Sequence, residues 1–176
     1  MEKFLIIGLG NPIESYKNTR HNIGTYIVKM IINNERIKKK FKNKYGEIFI
    51  KKNNNKKYLF LLSNLYMNKI GYTINYFLKK YKLKNKNLIV LSDDIYIDFG
   101  KIKLKYNGGS GGHNGLNSIQ NILKTKKYLR IKIGIGHNFK YGEQNKYVLS
   151  PMNLNELRLI KKKIYIEIYN LIFNIL

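Results

Sequence analysis

The chain of 176 residues fits one domain with one core, since longer chains are the ones that divide. Its 44% hydrophobic and 13% aromatic content excludes wholesale disorder, and the lack of cysteine removes disulfides, thiolate nucleophiles and zinc ribbons while suiting a reducing, cytoplasmic setting. The net charge of +24 favours a polyanionic partner, nucleic acid first, yet the excess is mostly Lys amid abundant Asn, Ile and Tyr, a composition that drift toward A/T-rich codons also yields.

The first element is a buried strand from Lys3 to Gly8, running into the sharp turn Gly-Leu-Gly-Asn-Pro. Its apolar stretch, Phe4 to Leu9, is too short for a signal core or a membrane span, so no membrane partner is expected. A loop with Tyr16 and His21 leads to a helix from Thr25 to Asn33, and the Lys-rich stretch from Lys38 to Lys44 reads as its solvated exit. Tyr45 to Lys51 and Tyr58 to Ser63 flank an Asn cluster and form a β-hairpin. A second helix follows Asn64 to Asn68, with Ile70, Ile74, Phe77, Leu78 and Tyr81 on one face.

Leu88 to Leu91 is a second buried strand ending in Ser92, Asp93 and Asp94, and Lys101 to Tyr106 a more polar third. The glycine-rich loop from Gly108 to Gly115 opens another helix, Leu129 to Gly136 is a further strand, and His137 to Lys146 is a polar loop. A last helix begins near Asn155, with Leu157, Ile160, Ile164, Ile168, Leu171 and Ile175 on one face. Strands interleaved with helices predict a single-domain α/β fold: a mixed, mostly parallel sheet with helices on both faces.

Sites in such sheets form beyond the strand ends, where Asn11, His21, Asn68, Asp93 and Asn114 fall. Asp93 follows a buried strand in a chain poor in acids; it is either a turn residue or the carboxylate that orients His21. The three histidines, His21, His113 and His137, lack the spacing of metal ligands, so no metal or cofactor is expected. Gly108-Gly109-Ser110-Gly111-Gly112 matches a nucleophile elbow, but no acid lies between Ser110 and His137 as that architecture requires. A phosphate cradle and a plain turn remain as alternatives for this loop. Gly8-Leu9-Gly10-Asn11-Pro12 falls short of a dinucleotide fingerprint.

Taken in order and spacing, these segments resemble the bacterial type of peptidyl-tRNA hydrolase. They are Gly8-Leu9-Gly10-Asn11-Pro12 with Tyr16, Thr19-Arg20-His21-Asn22-Ile23-Gly24, Tyr66-Met67-Asn68 with Gly71, and Ser92-Asp93-Asp94. The run Gly108 to Leu116, Ile133-Gly134-Ile135-Gly136-His137 and Tyr147-Val148-Leu149-Ser150-Pro151 complete the set. The resemblance implies a monomeric esterase, free of metal, that cuts peptide from the 3′ end of tRNA. It makes His21 the general base and Asp93 its partner, and Asn11 the residue that distinguishes a blocked amino end from a free one. Asn68 and Asn114 then hold peptide and 3′ terminus, Tyr16, Tyr66 and Met67 belong to the pocket for the tRNA end, and Lys105 and Lys132 clamp phosphate. Lys132 stands where the family usually shows arginine, Asn138 where proline is usual, and Tyr96 with Asp98-Phe99 replaces an acidic, Pro-rich turn. The alternative functions are a non-catalytic tRNA-binding protein on the same fold and a serine esterase using Ser110.

Overall fold

The computed structural model describes residues 1–175. Strand β1 (Glu2–Gly8) lies between β4 (Lys56–Ser63) and β5 (Leu88–Asp94), parallel to both, and β7 (Leu129–Gly134) continues the parallel centre beside β5. Antiparallel neighbours complete it: β3 (Gly46–Asn53) against β4, β2 (Lys39–Lys42) against β3, and β6 (Ile102–Lys105) against β7. The seven-stranded order is β2-β3-β4-β1-β5-β7-β6, a mixed sheet with three parallel and three antiparallel pairings.

Successive side chains of a strand point to opposite faces, and in β1 both faces are apolar. Phe4 and Ile6 pack under α1 (Ile23–Asn34) and the C-terminal helix; Leu5 and Ile7 pack under α2 (Ile70–Lys80) and α3 (Asn114–Leu123). In α2 the expected face is buried at Ile70, Ile74, Phe77 and Leu78, with Tyr81 partly buried against the same cluster.

The stretch from Lys38 to Lys44 is not a solvated exit, because its centre is the edge strand β2. Phe41 turns inward against Phe77, with rings 6.1 Å apart, while Lys39 and Lys42 each reach Glu47 at 3.1 Å. Lysines on an edge strand guard its unpaired backbone, so a charged run and a strand are compatible. The polar stretch after β7 is not loop throughout: it ends in a short helix, α4 (Gln144–Val148).

The C-terminal helix, α5, runs over 154–175 and is π-helical at Ile160–Ile164 and Leu171–Ile175. Its buried residues Ile160, Ile164, Ile168 and Ile172 recur every four positions. A regular helix of 3.6 residues per turn would rotate such a stripe by about 40° per step. The wider π turns keep it against the sheet. Ile172 and Phe173 are thus buried in place of Leu171, which is half-buried; the expected burial of Ile175 lies outside the described residues.

Candidate active site

The C-terminal ends of β1 and β5 form the floor of the site, and close backbone packing sets the height of His21 above them. A Cβ on Gly8 would lie 2.1 Å from the backbone of Gly24, and one on Gly24 would lie 2.5 Å from the Leu91 carbonyl oxygen. Only glycine allows α1 to start this low on the sheet. Thr25 Oγ1 donates to the Gly8 carbonyl at 2.7 Å and fixes the approach. The 3-10 turn Arg20–Asn22 immediately before α1 therefore carries His21 over the end of β5, where Asp93 stands.

His21 Nδ1 lies 2.9 Å from Asp93 Oδ2, and His113 Nε2 lies 2.9 Å from Asp93 Oδ1. His113 caps α3: its Nδ1 accepts from the backbone N–H of Gly115 and Leu116. That acceptor role places the His113 proton on Nε2, which donates to Asp93. The carboxylate in turn takes the Nδ1–H of His21 and leaves the His21 Nε2 lone pair free. His21 and Asp93 are 8% and 4% exposed, so water screens this trio little. Burial by itself disfavours charge on His21, but the charge and hydrogen bond of Asp93 outweigh it and raise the imidazole pKa above its usual value. Burial likewise opposes ionisation of Asp93, and the two histidines reverse that, holding its carboxyl below the usual range.

The ligand-type atoms of His21, Asp93 and His113 lie within 4.8 Å of one another, as in a metal site. Here the ring nitrogens facing Asp93 carry protons donated to it, and a cation would have to displace them. His137 is exposed and stands apart from the trio.

Asn11 is oriented by two contacts. Its Oδ1 accepts from the Met67 backbone N–H at 2.9 Å, so the free end of the amide is the donor Nδ2. Asn22 holds its backbone from the other side, Nδ2 donating to the Asn11 carbonyl and Oδ1 accepting the Asn11 N–H, both at 2.9 Å. A cavity of about 800 Å³ opens above these groups, a volume typical of ligand sites. His21, Asp93 and Asn11 form its floor, Tyr66, Met67 and Asn68 one wall, and Ser110 to Asn114 another. Lys132 lines it too, its Nζ ion-paired with Asp94 Oδ2. Tyr16 and Lys105 are not among the lining residues: Tyr16 is half-buried in the turn Glu14–Tyr16, and Lys105 is exposed on β6 beside Gly108.

The sequence profile of the peptidyl-tRNA hydrolase family matches residues 5–172. The chain belongs to that family. It is 40% identical over 163 residues to the peptidyl-tRNA hydrolase of Azobacteroides pseudotrichonymphae, covering 92% of this chain and 87% of the relative. With the peptidyl-tRNA hydrolase of Phytoplasma mali it shares 39% over 171 residues, covering 97% and 96%. Its fold matches the crystal structure of peptidyl-tRNA hydrolase from Acinetobacter baumannii with a TM-score of 0.80 and 32% identity, over 90% of this chain and 81% of that one. Family membership makes the chain an enzyme, a hydrolase.

Several residues that shape the site lie inside the motif segments, yet nothing in the sequence assigns them the roles they take in the fold. His113 is one, and Asn22 another, although it directly follows His21. Arg20 forms a two-pronged ion pair with Glu156 of α5, donates to the Pro151 carbonyl at 3.1 Å and to Ser150 Oγ, and lies 4.6 Å from the centre of the Tyr147 ring. It thereby ties the His21 turn to α4, whose Gln144, Asn145 and Val148 line the cavity. Arg130 is fully buried and donates to the carbonyls of Gly108, Gly109 and Lys126, anchoring the glycine-rich loop from below. In that loop the Gly115 and Leu116 N–H groups are taken by His113 and the Gly112 N–H by Ser110 Oγ, which weakens the phosphate-cradle reading. Ser110 accepts the His113 backbone N–H through its carbonyl, but among the described residues its Oγ has no hydrogen bond to an imidazole, the contact a serine nucleophile needs.

Proposed function

We propose that the chain hydrolyses the ester joining a peptide, or an N-blocked amino acid, to the 3′ end of tRNA, freeing tRNA from stalled or dropped-off peptidyl-tRNA. The observation that carries this reading is the His21 Nδ1 contact with Asp93, which leaves a basic Nε2 free at the cavity floor. A water bound there gives its proton to Nε2 as its oxygen attacks the ester carbonyl. The new C–O bond forms, the ester C–O bond breaks, and the proton passes from His21 to the departing 3′ oxygen. Asp93 stabilises the imidazolium in between. Asn11 Nδ2 is a donor suited to the acyl carbonyl or its developing oxyanion. Asn68 and Asn114 hold peptide and terminal nucleotide, Tyr66 and Met67 shape the pocket, and Tyr16 supports the turn that carries His21. Lys105 and Lys132 attract phosphate. The reaction needs neither metal nor covalent nucleophile, and the enzyme acts as a cytoplasmic monomer.

The test is release of N-acetyl amino acid from tRNA by the purified protein with chelator present, measured in single turnover alongside tRNA binding. The parent should cleave, and His21→Ala should bind tRNA yet lose about 10²–10⁴-fold in rate, the usual share of a general base. A parent that binds tRNA but releases nothing would be a non-catalytic RNA-binding protein.

A further inference from the structure

Of the exposed tyrosines, Tyr72, Tyr106 and Tyr141 lie away from the cavity, whereas Tyr66 and Tyr96 line it. Tyr96 is 77% exposed, and among the described residues neither its ring nor its hydroxyl has a partner. Leaving so much aromatic surface in water forgoes a large burial gain. The backbone beneath it is firmly held: Tyr96 N–H donates to Asp94 Oδ1 at 2.8 Å, Gly136 N–H to the Ile97 carbonyl at 2.9 Å, and Ile97 is buried. Asp94 also takes the Lys132 ammonium, so one buried carboxylate holds both an outward-facing ring and a cation at the cavity edge. An aromatic face on a rigid turn beside positive charge is how proteins grip single-stranded nucleic acid, the ring taking a base and the cation the backbone.

We infer that Tyr96 is a stacking platform for a nucleobase in the unpaired 3′ end of the RNA substrate, beyond the surface that Tyr66 offers. This rests on the proposed function. The phosphate that Lys132 attracts is then the one next to the stacked base, because while paired with Asp94 it borders the path of the strand. An acidic side chain at the place of Tyr96 would repel the strand that a tyrosine ring attracts.

The test compares Tyr96→Ala, Tyr96→Phe and, as an exposed control away from the cavity, Tyr72→Ala, with the N-acetyl-aminoacyl ester of a CCA trinucleotide as substrate. Tyr96→Ala should raise KM about tenfold with kcat within about twofold, in the range expected for loss of one base–aromatic stack. Tyr96→Phe and Tyr72→Ala should behave like the parent. A KM for Tyr96→Ala within about twofold of the parent overturns the inference, and so does a Phe variant as impaired as Ala, which would assign the contact to the hydroxyl. If the parent cleaves no ester at all, the proposed function fails instead. Titration of an uncharged CCA-ended oligonucleotide then tests the platform separately: weaker binding in Tyr96→Ala alone supports it, and equal binding overturns it.

Discussion

His113 and Asp93 are joined at 2.9 Å, Nε2 to Oδ1, by a histidine whose other nitrogen caps a helix. The carboxylate that orients His21 is therefore itself held in place from α3. Removing His113 as His113→Ala should leave the buried Asp93 short of a donor, costing about 1–3 kcal/mol of stability. The rate should fall too, but by less than in His21→Ala, because the group that takes the proton remains. Urea unfolding and single-turnover release check both. Equal losses of rate in the two variants would give His113 a direct chemical part.

The His21–Asp93 pair predicts a direction on the pH axis. Burial lowers the His21 pKa, Asp93 more than offsets it, and the net is a raised value. Activity that needs neutral imidazole is therefore lost as pH falls through that raised pKa. Asp93→Asn removes the anion, so the acidic limb should move to lower pH while the maximal rate drops through poorer tautomer control. The linked stability has two edges. The contribution of His21 is fully present below its ordinary pKa of 6.5 and fades as pH rises through the raised value. That of Asp93 is present above its ordinary 3.8 and is lost as pH falls through its lowered value. An unshifted pH–rate profile in Asp93→Asn would show that the two groups are not coupled.

Arg20 and Glu156 link the His21 turn to α5 with side chains only 11% and 14% exposed. Glu156 also closes a capping box with Asn153. Glu156→Gln should therefore destabilise the fold by about 3 kcal/mol, since it strands a largely desolvated guanidinium. Thermal unfolding measures this. A shift no larger than that of an exposed pair such as Lys17 and Glu14 would mean that Tyr147, the Pro151 carbonyl and Ser150 Oγ suffice to hold Arg20.

The sheet and its flanking helices are legible in the sequence because the periodicities are long: four apolar positions in α2 and Tyr81 just beyond its end mark one face, and β1 and β5 read as unbroken buried runs. Strand β2 is hidden because it has one inward aromatic, Phe41, among lysines, and α4 because five residues do not complete two turns. His21, Asp93 and Asn11 stand out by their places after strands. His113 does not, since its role comes from Nδ1 accepting two backbone N–H groups, a geometry that no spacing encodes. Arg20 depends on Glu156, which lies 136 residues further along the chain.

Lys105 and Lys132 should contribute unequally to RNA binding. Lys105 is exposed and lacks an acidic partner among the described residues, so Lys105→Ala should flatten the dependence of log affinity on log salt by about 0.7–0.9. Lys132 already shares its charge with Asp94, and Lys132→Ala should flatten it by less. Filter binding at four or five salt concentrations distinguishes them. Equal effects from Lys105, Lys132 and an exposed lysine of β2 would mean diffuse attraction in place of defined contacts.

Substrate choice should turn on the free end of Asn11. Because Met67 N–H holds Oδ1 toward the backbone, the amide is oriented with its Nδ2 donor free, matched to a carbonyl and unmatched to an ammonium. An N-acetyl or peptide group presents that carbonyl; an aminoacyl-tRNA presents a cation near a donor in a chain of net charge +24. A site built around one hydrogen-bonding partner rejects an analogue that leaves it unpaired, here by on the order of 10²-fold or more in kcat/KM. The parent should thus cleave N-acetyl-aminoacyl-tRNA fast and the free amine slowly. In Asn11→Asp one carboxylate oxygen would still accept from Met67 and the other would face the cavity as an anion. Discrimination should then shrink, with slower cleavage of the blocked substrate and faster cleavage of the free one. Ser110→Ala should leave both rates nearly as they are, since among the described residues Ser110 Oγ accepts only the Gly112 N–H. Parallel time courses on the two substrates give the ratio directly. A parent that treats them alike removes Asn11 from substrate choice, and collapse of both rates in Ser110→Ala would transfer the chemistry to a serine nucleophile.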